Sequence, residues 1–423
     1  MKENPIIIIG AGLQGLATAN ALIDRGEEVL LLERSSGVAT QTSFANAGML
    51  TPSQVAPWNS MADIVNILSG IGKKDSPMLL KLDQVPSLFF WGLRFLLNSS
   101  KSKYRSNTEN ICKLAQHSLA LTKQIREKHG FNYDHSSVGT MKIFRDESRF
   151  NKASKEVERL SDLGLTFKVL NNQEVAEQEP CLSDVSERIS GGIIFPDGET
   201  GDAYKFCKEL ETIIREKGGR IHVNTEVKKI HFNKRKVNSV VTDRVEIRAS
   251  RVVLTSGSWT NHLLKNTKLN LPVKPVKGYS LTLDTSVLND APKMPIIDED
   301  IHTAFSPLGY SLRVAGTAEF AGFNEGIHQK RIDYLYKTLE SIYPSIAAKL
   351  DLDKGTLWYG FRPMSPDGMP YIGPTKISGL FVNTGHGHSG WTLAMGSGDV
   401  LADLMLKKQP KIEVKPFLAS RAV

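Results

Sequence analysis

Segment 6–15 constrains the fold of this chain more than any other part of the sequence. It reads IIIIGAGLQG, four β-branched residues that run directly into a G-x-G-x-x-G loop. In a strand–loop–helix unit, Gly10 makes the tight turn after the strand and Gly12 lets backbone N–H groups approach a pyrophosphate. Gly15 allows the helix and the strand to pack closely. The pattern therefore predicts a nucleotide-binding βαβ unit, with a structural glycine turn in an unrelated α/β domain as the alternative.

A carboxylate lies where such a unit needs one. Segment 29–32, VLLL, is typical of a second buried strand, and Glu33 follows it, about 20 residues beyond the loop. At that position a carboxylate can accept hydrogen bonds from the ribose hydroxyls of an adenosine. The motif alone does not separate FAD from NAD, but a loop that begins at residue 10 favours a tightly held flavin nucleotide.

Length and composition limit the remaining possibilities. A chain of 423 residues exceeds one ordinary domain, so we expect two domains. The net charge of +8 comes from scattered basic residues, which favours a solvated surface over nucleic-acid binding and leaves attraction to anionic lipid or substrate as the alternative. Three cysteines without metal-ligand spacing are typical of a reducing cytosol and predict no metal site. No apolar run is long enough to span a bilayer, so we expect a cytoplasmic protein, soluble or peripheral on a membrane.

The most aromatic stretch is segment 85–97, VPSLFFWGLRFLL. Its thirteen residues include an arginine and are too few to cross a membrane. Because apolar helices are usually buried, the pattern favours a core helix. The alternative is a helix that lies in a membrane interface.

A second glycine-rich segment occurs near the carboxyl terminus. Segment 380–384 is typical of a buried strand, and it leads into GHGHSG and then a predicted helix over 391–406. Helix amino termini stabilise negative charge. The first such terminus suits a pyrophosphate, and the second suits the pyrimidine edge of a flavin, where negative charge accumulates on reduction.

Small residues in segment 42–52 and at the ends of later strands permit close approach of a planar ligand, although a surface loop is the alternative for segment 42–52. Besides Gly10, Gly12, Gly15 and Glu33, the predicted cofactor-binding residues are Arg34, Ser43, Asn46, Ala47, Gly48, Val227, Gly257, Gly385, His386, Gly387, Gly390, Trp391 and Thr392.

Several longer motifs make the chain recognisable: PDGETGD at 196–202, KGYSLT at 277–282, GFRPMSPDG at 360–368 and NTGHGHSGWT at 383–392. With them, the sequence resembles the FAD-dependent oxidoreductases of the D-amino acid oxidase type over nearly its whole length, and most closely a bacterial dehydrogenase branch. The resemblance implies an α/β fold with a Rossmann-like FAD-binding domain and a discontinuous α+β substrate domain on a mostly antiparallel sheet. The predicted FAD-binding domain comprises 1–84, 196–270 and 355–423, and the predicted substrate domain comprises 85–195 and 271–354.

The resemblance also implies a reaction and its residues. A non-covalent FAD takes a hydride at N5 from the α-carbon of a small neutral, D-alanine-like amino acid, and the products are a 2-oxo acid and ammonia. Arg362 matches the family's carboxylate-binding arginine, with an ordinary ion pair as the alternative. Tyr279 matches a tyrosine that faces the substrate, with a buried tyrosine bonded to backbone as the alternative. His386 either contacts the flavin or donates to backbone, and we do not expect it to be a base.

The dehydrogenase resemblance implies a quinone or respiratory carrier as electron acceptor, which would give segment 85–97 a role at the inner face of the cytoplasmic membrane. One rival is an oxidase of glycine, sarcosine or an imino acid that uses oxygen. Another is a non-catalytic FAD subunit that relays electrons. Differences from the family pattern at His388, Ser389 and 298–310 leave the side-chain preference open, with substrates of the proline or hydroxyproline type possible.

Overall fold

The computed structural model describes residues 4–59 and 78–422. The strands in these ranges, β1 to β20 in chain order, are Ile6–Ile9, Val29–Leu32, Met49–Leu50, Met78–Leu80, Thr140–Phe144, Lys168–Leu170, Gly191–Phe195, Glu199–Thr200, Arg220–His222, Val227–Asn233, Lys236–Thr242, Glu246–Arg248, Val252–Leu254, Lys274–Asp284, Ile296–Asp298, Thr303–Leu308, Ser311–Phe320, Thr356–Met364, Tyr371–Pro374 and Leu380–Thr384. The α-helices, α1 to α10, are Leu13–Ile23, Val85–Leu97, Lys101–His129, Glu147–Ser161, Asn172–Gln178, Ala203–Glu216, Thr260–Leu264, Gln329–Ile342, Pro344–Ala347 and Ala394–Met405.

The amino-terminal strand lies in the middle of a six-stranded sheet with the order β19-β20-β13-β1-β2-β9. All neighbours are parallel except β19 and β20. The four isoleucines of β1 are buried, as expected for a parallel strand that helices cover on both faces. Helices α1 and α10 cross closely on one face, where a Cβ on Gly398 would lie 2.6 Å from the backbone of Ala17.

The second large sheet has nine strands in the order β18-β14-β17-β16-β15-β5-β7-β6, with β4 paired to β17. Only the β5–β15 and β4–β17 pairs are parallel, so the sheet is mostly antiparallel. Helix α8 packs on β14 and β17 and covers one face of this sheet. A parallel nucleotide-type sheet beside a mostly antiparallel second sheet confirms the predicted fold class.

The predicted domain boundaries agree only partly with the strand pairing. Strands β4 and β18 belong to the nine-stranded sheet, although their residues fall in the ranges predicted for the FAD-binding domain. Helix α3, which falls in the predicted substrate domain, packs against α10. The division into two domains therefore stays a prediction, and the pairing favours moving β4 and β18 to the substrate domain.

Segment 85–97 forms helix α2, but the expectation of a buried core helix is wrong. Only Trp91 and Phe95 are buried. They pack with Met78, Val276 and Met364 at the end of the nine-stranded sheet. Leu88 is half-buried against the same cluster. The remaining large apolar side chains are exposed, and these are Val85, Phe89, Phe90, Leu93, Leu96 and Leu97. Among the described residues, no helix has both the length and the apolar character to span a membrane.

Candidate active site

A cavity of about 650 Å³ lies between the two large sheets. The loops that follow β1, β2, β13 and β20 border it on one side, and strands β5 and β14 to β18 border it on the other. All predicted site residues border this cavity except Gly15 and Gly385. Residues that are distant in sequence are therefore brought together, as a binding site between two sheets requires.

The three glycines of the first loop have different surroundings. Gly10 has φ +105°, a left-handed conformation that favours glycine, and a Cβ there would lie 3.0 Å from the carbonyl oxygen of Thr255. A Cβ on Gly15 would lie 1.9 Å from the carbonyl oxygen of Gly10, so helix and strand pack too closely for any side chain. A Cβ on Gly12 would meet only the Ser43 hydroxyl, at 3.3 Å. The protein itself thus leaves room beside Gly12, where the loop borders the cavity.

Glu33 is held in place by the backbone of the same unit. Its two carboxylate oxygens accept hydrogen bonds from the amide of Ala11 at 2.8 Å and the amide of Ser35 at 2.9 Å. A carboxylate has lone pairs for further donors, so Glu33 can still accept from a ribose. The guanidinium of Arg34 lies 4.3 Å from the ring centre of Trp259 at the same end of the cavity.

Segment 45–48 is fastened to the nine-stranded sheet. Ser280 donates to the carbonyl of Ala45 at 2.7 Å, and Ser306 donates to the carbonyl of Ala47. Arg313, which is paired with Asp202 at 2.9 Å, donates to the carbonyl of Asn46. A cofactor that contacts this segment would therefore be positioned directly against the second sheet.

The glycine-rich segment after β20 differs from the prediction in its helix. Helix α10 begins at Ala394, three residues later than predicted, and a short 3₁₀ turn precedes it. Gly385 and Gly387 have φ +82° and +57°. This backbone brings His386 and His388 to the cavity wall.

Both histidines are neutral hydrogen-bonding groups. His386 is buried, shares a hydrogen bond of 2.9 Å with the Ser397 hydroxyl, and has its pKa lowered to about 3 by burial. Burial also lowers the pKa of His388 to about 4, and its ring stacks on Trp58 with centroids 4.8 Å apart. Because protonation is disfavoured at both positions, neither ring is a cation at neutral pH.

Several buried polar atoms around the cavity have no partner among the described residues. Buried polar groups in proteins are normally hydrogen-bonded. A ligand with many carbonyl, ring nitrogen, hydroxyl and phosphate groups would satisfy such atoms, so the donor and acceptor set fits a flavin dinucleotide. The atoms are Gln14 Oε1, Ser53 Oγ, Gln54 Nε2, Thr317 Oγ1, His386 Nδ1 and Trp391 Nε1.

Arg362 is a partly buried cation with no counter-ion among the described residues. It lies on β18 and donates through Nη1 to the carbonyl oxygen of Thr317 at 3.0 Å, and its guanidinium lies 5.5 Å from the ring centre of Trp58. No carboxylate among the described residues pairs with it, and burial lowers its pKa to about 10. A desolvated guanidinium is costly unless an anion pairs with it, so this geometry favours a carboxylate ligand.

The carbonyl that holds Arg362 comes from strained backbone. Thr317 has φ +60°, which is a genuine outlier for a β-branched residue. It lies opposite a register shift between Lys277 and Tyr279 in the β14–β17 pairing. Bulges and strained residues of this kind concentrate at functional sites, where they redirect backbone or side-chain groups.

Tyr279 does not have the predicted orientation. Although it borders the cavity, its hydroxyl donates to Glu319 at 2.9 Å, and Glu319 is paired with Arg331. Burial and the Glu319 carboxylate raise the pKa of Tyr279. Side chains alternate along a strand, so Gly278 faces Arg362 while Tyr279 points to the opposite face. The predicted substrate contact of the Tyr279 hydroxyl is therefore corrected to a bond within the core.

Replacing Gly278 by alanine is expected to raise KM for substrate at least tenfold with a smaller change in kcat. A Cβ at this position would lie 2.2 Å from Nη1 of Arg362, so the guanidinium must move while the strand can stay intact. Steady-state kinetics with an unchanged thermal midpoint would support this, whereas unchanged KM in a folded variant would contradict it. The control is the replacement by alanine of Gly92, where a Cβ would meet no described residue within 4 Å.

Sequence reasoning missed other residues that border the cavity, among them Gly278, Trp58, Lys142, Glu299 and Thr317. Gly278 lies in the KGYSLT motif, where only the tyrosine was singled out. No local signal marks Trp58 or Thr317, because their positions depend on strand pairing and on packing between the sheets.

The fold and the cavity together define a flavin-binding oxidoreductase, and comparison with known proteins agrees. Residues 5–404 match the family described as FAD dependent oxidoreductase, so the chain belongs to that family and its predicted cofactor, FAD, is confirmed. The D-amino acid dehydrogenase of Bradyrhizobium diazoefficiens is 34% identical over 416 residues, which cover 98% of each chain. That of Methylobacterium radiotolerans is 36% identical over 408 residues, covering 96% and 97% of the two chains. The fold is also that of glycine oxidase from Geobacillus kaustophilus, with a TM-score of 0.78, 22% identity and full coverage of both chains.

Proposed function

We propose that this protein is an FAD-dependent D-amino acid dehydrogenase that converts a small neutral D-amino acid into a 2-oxo acid and ammonia. The observation that carries the proposal is Arg362, a partly buried guanidinium that borders a cavity lined by the glycine loops and has no counter-ion among the described residues. The full-length relatives named D-amino acid dehydrogenase support the choice of D-amino acids. The 2-oxo acid forms when the imino acid product takes up one water and releases ammonia.

Each part of the site has a role in this reaction. Arg362 binds the substrate carboxylate bidentately, which lysine cannot do, and the absence of a side chain at Gly278 leaves space for the guanidinium. The loops at Gly12, Glu33 and segment 45–48, together with His386, border the cavity and would hold the FAD. When bound there, FAD would supply the acceptor for a hydride from the substrate α-carbon. Holding the carboxylate fixes the direction of the Cα–H bond, and this alignment is the protein's main contribution to rate.

The products test this proposal. Purified holoprotein is supplied with matched D- and L-amino acids and a soluble electron acceptor, and 2-oxo acid and ammonia are quantified. We expect equal amounts of both products from D-amino acids only. Hydrogen peroxide formed in air at a comparable rate would instead support an oxygen-using oxidase, and the absence of product from any amino acid would favour an electron-relay subunit.

We also propose that the electrons pass to a membrane quinone and that helix α2 docks the protein on an anionic membrane. Phe89 and Phe90 are 63% and 77% exposed, and Leu93, Leu96 and Leu97 extend the same apolar surface. Exposed basic residues follow at once, namely Lys101, Lys103 and Arg105. Apolar aromatic side chains beside cations are typical of helices that bind anionic bilayer surfaces.

Helix α2 also adjoins the cavity. The indole nitrogen of Trp91 donates to the carbonyl oxygen of Met364 at 3.2 Å, two residues beyond Arg362 on the same strand. Met78 and Trp58, which border the cavity, belong to the same apolar cluster as Trp91. A membrane-bound acceptor at this helix would therefore be close to the site that supplies the electrons.

A double variant Phe89→Ser and Phe90→Ser is expected to lose at least tenfold in binding to phosphatidylglycerol-containing vesicles. Burial of one aromatic side chain contributes about 2 kcal/mol, so two of them dominate the affinity. Co-sedimentation measures the effect, and Val287→Ser, which removes an exposed apolar side chain outside helix α2, is the control. Equal partition of the double variant and the wild type would contradict the assignment of this surface.

A further inference from the structure

A charged pair lies in the cavity wall and has no part in the roles assigned so far. The ammonium of Lys142 lies 2.6 Å from Oε1 of Glu299. Lys142 is on β5, Glu299 follows β15, and both residues border the cavity. About a quarter of each side chain is accessible, 23% and 26% respectively. The pair therefore faces the cavity and is not sealed inside the sheet.

A row of small and medium residues leads from the neighbourhood of Arg362 to this pair. Across the sheet, Lys142 is opposite Ile297, Ile297 is opposite Ala304, and Ala304 is opposite Ala315. All four border the cavity. Ala315 lies two residues before Thr317, whose carbonyl holds Arg362. Three strand spacings correspond to about 14 Å, a span that a bound amino acid and the long lysine side chain can fill together.

The surroundings of His388 agree with a cavity that contains both Arg362 and Lys142. Burial is the main cause of its lowered pKa, and the positive charges of Arg362 and Lys142 lower it further. The imidazole of His388 and the guanidinium of Arg362 both lie against the ring of Trp58, and all three residues border the same cavity as Lys142. A substrate that is held at Arg362 by its carboxylate would thus direct its side chain along a cavity wall that contains Lys142.

The Lys142–Glu299 ion pair is an unusual part of the wall for a pocket that takes only alanine-like substrates. Removing two charges even partly from water costs free energy that their attraction often fails to recover, so apolar residues would serve such a pocket better. The backbone that carries Glu299 is tied to β5, because the amide of Glu299 donates to the carbonyl of Ile143. Burial opposes ionisation of Glu299, but Lys142, with His302 and Arg149, keeps its pKa below the ordinary value. The wall thus presents a carboxylate beside an ammonium.

We propose that Lys142 and Glu299 form a side-chain subsite that selects D-amino acids with a primary amide, such as D-asparagine and D-glutamine. The inference rests on the proposed function and names the substrate class of that site. A primary amide has an acceptor and a donor side by side, so its oxygen can accept from Lys142 while its nitrogen donates to Glu299. An ionised side chain would add an unbalanced charge to a neutral pair in a confined space, and an apolar one would make neither bond.

Isosteric substrates test the subsite in the holoenzyme. D-Asparagine, D-leucine and D-aspartate share one branched shape and differ in polarity and charge. We expect kcat/KM for D-asparagine to exceed that for each of the other two at least tenfold. The double variant Lys142→Met and Glu299→Gln removes both charges together, and its D-asparagine to D-leucine ratio should fall to within about threefold of one. An exposed pair offers the control, Lys168→Met with Glu174→Gln, which should keep the wild-type ratio.

A wild-type enzyme that prefers D-leucine or D-aspartate, or a double variant that keeps the wild-type ratio, would overturn the subsite. If the double variant does not hold FAD, the single variant Glu299→Gln replaces it, because the amide keeps the shape of the side chain and loses the charge that orients Lys142. Failure of the proposed function has a different result, since no D-amino acid, D-alanine included, would then be oxidised.

Discussion

Replacing Arg362 by alanine is expected to lower kcat/KM for D-amino acids by about 100- to 1000-fold, mostly through KM, while FAD stays bound. Losing one partner of a buried, hydrogen-bonded charge pair costs about 3–4 kcal/mol, which corresponds to that factor. The guanidinium is partly buried, has no carboxylate partner among the described residues, and is held over Gly278 by the carbonyl of Thr317. It is therefore available to the substrate carboxylate. Steady-state kinetics and the flavin content of the purified variant measure the two effects.

Two further variants are the controls for Arg362→Ala. Arg362→Lys keeps the charge and loses the bidentate geometry, so we expect kcat/KM between the wild type and the alanine variant. Arg215→Ala removes a half-exposed arginine that pairs with Glu211 on a surface helix, and its kinetics should match the wild type. Normal kinetics in Arg362→Ala would remove the carboxylate assignment.

Replacing Gly12 by valine is expected to abolish FAD binding and leave the chain folded. The backbone at Gly12 is in an extended conformation that any residue adopts, and a Cβ would approach only the Ser43 hydroxyl. The side chain would instead occupy the space in which the loop amides meet a pyrophosphate. Flavin absorbance after purification and circular dichroism separate loss of cofactor from loss of fold.

Gly15→Ala is the matched comparison for this loop. Its Cβ would clash with the carbonyl oxygen of Gly10 at 1.9 Å. We therefore expect the free energy of unfolding of the whole chain to fall by about 1–3 kcal/mol or more. Substitutions at the two glycines of one motif should therefore have different effects, namely loss of FAD at Gly12 and loss of stability at Gly15. A Gly12→Val protein that retains a full complement of FAD would contradict the interpretation of the loop.

Local patterns predicted the elements whose structure depends on local sequence. The four isoleucines, the glycine loop and Glu33 specify a strand, a turn and a helix without help from the rest of the chain, and the structure has them at these positions. The carboxylate-binding role of Arg362 was predicted from a family motif. The residues next to it in sequence do not reveal that its side chain lies over Gly278.

What the sequence did not reveal depends on long-range pairing. Segment 191–202 is rich in turn-forming residues, yet its first five residues form β7, paired between β5 and β6. Its glycines are required there because Cβ atoms on Gly191 and Gly192 would meet Phe150 and Val175. The orientation of Tyr279 is set by alternation from a register shift that no local pattern marks.

The exposure of helix α2 could not be inferred from composition either. An apolar helix is compatible with a core and with a surface, and only the packing of Trp91 and Phe95 decides which side is covered. Most of the remaining large apolar side chains are exposed, and the alternative of a helix in a membrane interface stays a prediction.

We propose that this chain uses bound FAD to oxidise D-amino acids that Arg362 holds by their carboxylate. An anaerobic titration of the purified holoprotein with paired D- and L-amino acids, followed by absorbance, tests it most directly. We predict that D-amino acids bleach the visible flavin band in wild type, that L-amino acids do not, and that Arg362→Ala needs at least a hundredfold more D-amino acid for half-maximal bleaching. Unbleached flavin with every D-amino acid, or equal bleaching of wild type and Arg362→Ala, would contradict the claim.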